Sequence, residues 1–114
     1  MDRLLIAATH RSSGKTTLSV GVLAALAARG VAVAPFKKGP DYIDPMWLGQ
    51  AAGRPCHNLD PYLMTPAGIR RCFADGARGA EMALVEGNLG LYDGMSLDGR
   101  DCNAALAKQL RSPV

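Results

Sequence analysis

Apolar residues fall in three short runs, at residues 4–8, 31–36 and 82–85, with longer segments of helical spacing between them. A run without polar alternation suits a strand buried on both faces, as in a parallel sheet covered by helices. Between the first two runs, residues 15–29 are rich in Ala and Leu, with Leu18, Val22 and Leu26 at helical spacing and Gly30 as a stop. Strand, helix and strand in that order require a right-handed crossover, so the fold class is α/β with a parallel sheet. Residues 37–45 hold Gly39, Pro40 and Pro45 and read as a loop, followed by a short helix over 46–52. Turns are expected at 53–55 and around Asn58, Asp60 and Pro61, and helices at 66–74 and 103–110. A second loop covers 87–99, and at Ser112-Pro113-Val114 the alternation calls for another strand. No internal repeat or low-complexity tract is present.

Composition narrows this only slightly. With 48% hydrophobic and 20% charged residues in 114, the chain reads as a compact globular unit of at most one small domain. The net charge of +3 is scattered, with only Lys37-Lys38 and Arg70-Arg71 adjacent, so no basic stripe of the nucleic-acid-binding kind is expected. An anionic small molecule fits better. Cys56, Cys72 and Cys102 are far apart and form no C-x-x-C pair, which points to reduced thiols and neither a disulfide framework nor zinc. No run of about 18 apolar residues exists, so no membrane contact and a cytoplasmic location are expected.

The chemistry concentrates at three places. Ser13-Gly14-Lys15-Thr16-Thr17 lies between a strand and a helix, where a P-loop supplies backbone amides, a lysine for the β- and γ-phosphates and a hydroxyl for Mg²⁺. The first glycine of G-x-x-x-x-G-K-[ST] is replaced by Thr9, so the loop is a variant. The plainer alternative is a turn in which Ser12 or Ser13 caps the helix. His10 occupies the place where partitioning ATPases of the ParA type carry a second lysine, which disfavours that branch. Asp41 and Asp44 stand three apart in Lys37-Lys38-Gly39-Pro40-Asp41-Tyr42-Ile43-Asp44-Pro45, as carboxylates near phosphate and magnesium or as turn and cap residues. Glu86 ends the third apolar run, where P-loop proteins keep an acidic group for the metal, and Gly87-Asn88-Leu89-Gly90 follows it. A solvated surface glutamate is the alternative.

Together with Asn58-Leu59-Asp60-Pro61 and Gly90-Leu91-Tyr92-Asp93-Gly94, these blocks resemble the cobyrinic acid a,c-diamide synthase family, in order and spacing, over nearly the whole chain. The G-P-D-Y-I-D-P block carries most of that resemblance; the P-loop alone points only to the wider group that includes dethiobiotin synthetase. The resemblance implies a P-loop NTPase-like parallel sheet of dethiobiotin synthetase type. It also implies a ligase that phosphorylates two tetrapyrrole carboxylates with ATP and displaces phosphate with ammonia from glutamine.

By motif match, Ser12, Ser13, Gly14, Lys15, Thr16 and Thr17 would hold the nucleotide, and Thr16, Glu86 and Asp41 would bind Mg²⁺. Lys37, Asp41 and Asp44 would be catalytic, while Tyr42 and Ile43 would face the macrocycle. No cysteine sits in a glutaminase setting, so residues 1–114 read as the N-terminal part of the ATP-binding amidoligase domain, lacking the glutaminase domain. The partners implied are a tetrapyrrole, a glutaminase domain or other ammonia source, and a second copy in a homodimer.

His10-Arg11-Ser12-Ser13, Lys37-Lys38, Glu86-Gly87-Asn88 and Leu97-Asp98-Gly99 look like the branch that amidates sirohaem; cobyrinate or hydrogenobyrinate is the family default, and the choice stays open. Two other functions remain in view, a ParA-type partitioning ATPase and a dethiobiotin synthetase-like ligase.

Overall fold

A computed structural model describes residues 1–114. The chain folds as β1 (Asp2–Ile6), α1 (Lys15–Ala28), β2 (Val33–Lys38), α2 (Ile43–Ala52), β3 (His57–Leu59), α3 (Pro66–Gly76), β4 (Met82–Glu86) and α4 (Asn103–Leu110). All pairings are parallel and the strand order is β1-β4-β2-β3. The fold is the α/β parallel sheet flanked by helices that the alternation predicts.

The unbroken apolar runs are explained by a core on each side of the sheet. Alternate residues of β2 and β4 point to opposite faces. Val33 and Leu84 meet Leu23 of α1 and Leu48 of α2 on one side. Ala34, Phe36, Ala83 and Val85 meet Ile69 and Phe73 of α3 and Leu106 and Leu110 of α4 on the other. The Phe36 and Phe73 rings stack with centroids 4.9 Å apart.

β2 also tolerates Pro35 without losing a sheet bond. The Gly39 amide donates to Leu59 on β3, and by two-residue alternation the Pro35 nitrogen faces the same side, at a level where β3 has not yet begun.

Element boundaries shift in four places. β1 lies two residues earlier than the apolar run, and β2 runs on through Lys37 and Lys38, placing both lysines on a strand and not in a loop. α2 begins at Ile43, because the Asp41 carboxylate accepts the amides of Ile43 (2.9 Å) and Asp44 (3.1 Å). β3, expected as a turn, is a three-residue edge strand whose polar His57 and Asn58 give no alternation to read. At the far edge of β1, Leu5 donates to the Pro113 carbonyl at 2.9 Å, where the sequence calls for another strand. No helix is long and apolar enough to cross a membrane.

Candidate nucleotide-binding site

Every strand delivers its loop to one edge of the sheet, where ligands of open α/β sheets bind. There a cavity of about 450 Å³ is lined by residues 11–17, Lys37, Asp41, Asp44, Glu86, Asn88 and Leu89. The three separated stretches singled out in the sequence therefore line one cavity.

The loop before α1 is shaped for an anion. Gly14 is the residue before the helix, at φ 93°, a left-handed conformation open mainly to glycine, and no side chain caps the helix. The serine-cap alternative is thereby corrected: Ser13 donates instead to the His10 carbonyl at 3.0 Å, and Ser12 takes a left-handed φ of 57°. The first amides of α1 lack an intrahelical acceptor, as at any helix start, and carry the positive end of the helix dipole. The Lys15 ammonium donates to the carbonyls of Leu89 at 2.9 Å and His10 at 3.3 Å. Burial, and then the Lys37 charge, pull its pKa below the ordinary lysine value, with Glu86 and Asp44 acting in the opposite sense.

Next to it three oxygens crowd together. The Thr16 hydroxyl lies 2.5 Å from Glu86 Oε1 and 3.2 Å from Asp44 Oδ2. One hydroxyl proton cannot serve two carboxylates, so a further cation or proton is called for. Lys37 partly answers this, at 2.9 Å from Asp44 and 3.6 Å from Glu86, while also donating to the Gly87 carbonyl at 3.1 Å. Lys37 and Glu86 are register partners on adjacent strands, which puts both on the α1–α2 side of the sheet. Glu86 is fully buried, and its Oε2 has no hydrogen-bond partner. Burial pushes its pKa above the ordinary carboxylate value, against the Thr16 hydroxyl and the Lys37 charge. A carboxylate with an orphaned buried oxygen beside a P-loop hydroxyl fits Mg²⁺, which takes one or two protein carboxylates and completes its shell with water and phosphate. No three His, Cys, Asp or Glu side chains converge as a metal site of their own.

The structure separates the expected residues. Asp44, not Asp41, touches Thr16 and Lys37; Asp41 lines the same cavity with Oδ1 engaged by the α2 amides. Tyr42 and Ile43 are 91% and 66% exposed and do not line the cavity.

Sequence reasoning missed three residues. Lys38 projects to the other face and donates to Asn88 Oδ1 at 2.8 Å. Asp101 is buried and accepts the amides of Met95 (2.7 Å) and Ser96 (3.0 Å), organising the loop before α4. Asn103 is fully buried against the loop after β4. The only sequence signal for the last two is a polar residue just before or at the start of an apolar helix. Cys102 caps α4 through a 3.4 Å bond from Ala105, and burial pushes the Cys56 thiol up to about 12.

The chain is similar to longer proteins. A cobyrinate a,c-diamide synthase of Magnetococcus marinus is 57% identical over 114 residues, covering 100% of this chain. A hydrogenobyrinate a,c-diamide synthase of Streptomyces coelicolor is 52% identical over 115 residues, and a cobyrinate a,c-diamide synthase of Methanosarcina acetivorans 46% over 118. The chain spans 24% of the length of each of these relatives. Residues 4–109 match the family described as the CobQ/CobB/MinD/ParA nucleotide binding domain. With a parallel sheet, an uncapped helix start behind Gly14 and a lysine and threonine opening that helix, the chain belongs to this nucleotide-binding family.

Proposed function

We propose that these residues are the nucleotide-binding part of a tetrapyrrole a,c-diamide synthase that activates carboxylates with ATP and Mg²⁺. The observation carrying the proposal is the meeting of Thr16, Asp44, Glu86 and Lys37 beside the Gly14 loop. Similarity to synthases named for cobyrinate and hydrogenobyrinate supplies the substrate class.

In this reading residues 12–17 hold the triphosphate, and the Lys15 ammonium, which has three donors, keeps its bond to the Leu89 carbonyl while turning toward the β- and γ-phosphates. Thr16 and Glu86 hold the magnesium ion, which neutralises phosphate charge when bound. Asp44 keeps the Lys37 ammonium aimed at the γ-phosphate, where positive charge stabilises the transferring phosphoryl group. Asp41 starts α2 and so fixes the position of Asp44. A substrate carboxylate oxygen attacks the γ-phosphorus, ADP leaves, and ammonia then displaces phosphate to form the amide. Tyr42 and Ile43, exposed and lying in sequence between the cavity-lining Asp41 and Asp44, contact the macrocycle. The ammonia comes from glutamine through a separate glutaminase domain, as the length of the relatives allows.

The test incubates the protein with ATP, Mg²⁺ and ammonia, with cobyrinate in one arm and sirohaem in another, and follows acid-to-amide conversion by mass spectrometry. Conversion in the cobyrinate arm is expected. ATP binding without conversion in either arm, even when the remaining part of the protein is supplied, would remove the amidation reading.

A further inference from the structure

We infer that Asn103 is a positioning residue for the P-loop lysine, acting through the loop that follows β4. The inference rests on the nucleotide-site reading above. In that loop, four successive carbonyls each receive a side-chain donor. Lys37 donates to Gly87 at 3.1 Å, Asn103 to Asn88 at 2.7 Å, Lys15 to Leu89 at 2.9 Å, and Asn103 again to Gly90 at 3.0 Å. Asn103 therefore grips the two carbonyls on either side of the one that holds Lys15. Its own Oδ1 accepts the Asn88 amide at 3.2 Å, and the side chain has no exposure to solvent.

The gripped loop is a conformation the chain would not choose unaided. Leu89 sits at φ 51°, in the left-handed region that a leucine avoids. Gly87 has no room for a side chain, since a Cβ there would stand 2.8 Å from the Asn103 Cγ. An amide is well matched to this position, with two donors for two carbonyls and one acceptor for one amide. Asn103 is the first residue of α4, and the Ala104 amide donates to Leu91 at 3.1 Å, so α4 and the loop move together. Without Asn103, the Leu89 carbonyl would lose its fixed place, and Lys15 its guide toward the β- and γ-phosphates.

The test measures Kd for ATP and for ADP, each with Mg²⁺, in the wild-type protein, Asn103→Leu and Asn103→Ser, with melting temperatures alongside. Asn103→Leu is expected to weaken ATP binding roughly tenfold, the worth of one or two buried hydrogen bonds. Asn103→Ser, which keeps one hydroxyl donor, should lose less. The preference for ATP over ADP should fall as well, because Lys15 reaches the γ-phosphate. Unchanged affinities overturn the inference, and so do equal losses for ATP and ADP that merely follow the melting temperature. If Asn103→Leu does not fold, Asn103→Ser decides; if neither folds, Gly87→Ala, which crowds the same side chain, decides by the same ratio. A wild-type protein that binds neither nucleotide overturns both this inference and the nucleotide-site reading. Wild-type binding with indifferent variants overturns this one alone.

Discussion

The Lys37 ammonium and the Asp44 carboxylate meet at 2.9 Å, the lysine on β2 and the acid in the first turn of α2. Lys37 is 4% exposed, so its charge is taken out of water at the wall of the cavity. Asp44→Ala should accordingly leave nucleotide affinity near wild type while blocking phosphoryl transfer, and should lower the melting temperature by leaving a buried ammonium with fewer partners. Nucleotide titration and ATP turnover with tetrapyrrole present check this. Equal turnover in variant and wild type would rule out the assigned role.

Lys15→Ala should cost about 2–3 kcal/mol of ATP affinity, the range of a charge-assisted hydrogen bond, or roughly 30- to 150-fold in Kd. Stability of the nucleotide-free protein should not fall in parallel, because burial already disfavours the Lys15 charge. Calorimetric titration and thermal melting of the same samples separate the two effects.

Glu86 ties stability to pH. Its folded pKa is raised above the ordinary 4.5 by burial, so the folded protein holds that proton more tightly than the unfolded chain. The stabilising contribution is complete below the unfolded value and is lost as pH rises through the folded one. Glu86→Gln, which never ionises, should therefore melt higher than wild type at neutral pH, with the advantage vanishing as pH falls below 4.5. The same variant should bind ATP with a weaker dependence on Mg²⁺. A wild type as stable as the variant at neutral pH would contradict this.

Gly76→Ala probes the core behind the site. Alanine favours a helix interior by up to about 1 kcal/mol over glycine. Here, however, the added Cβ would stand 2.7 Å from Phe36 Cε1 and 2.8 Å from His57 Cδ2. Overpacking of this kind costs roughly 1–3 kcal/mol, so net destabilisation is expected by chemical denaturation. Because Phe36 immediately precedes Lys37 on β2, a weakened ATP turnover should accompany it.

Part of the fold and of the site is legible in the order of residues alone. Residues 4–8, 31–36 and 82–85 are apolar without alternation, which only two-sided burial satisfies, and Gly14-Lys15-Thr16 between strand and helix marks the turn that opens α1. Local pattern is enough there, because strand burial and helix starts are set by neighbours in sequence. It is not enough for β3, whose three residues are held by pairing with Phe36, Lys37 and Lys38 and not by their own composition. Nor can it rank Asp41 against Asp44, since that depends on which carboxylate the start of α2 turns toward Thr16. Asn103 lies 15 residues from Asn88, and Glu86 lies 70 from Thr16; spacing along the chain carries no record of such meetings. The sequence by itself determined the α/β architecture and the glycine turn that opens α1, because periodicity and turn chemistry are local. Only the tertiary structure decided which carboxylates, lysines and carbonyls face one another, because those distances follow from sheet order and from the packing of helices on its two faces.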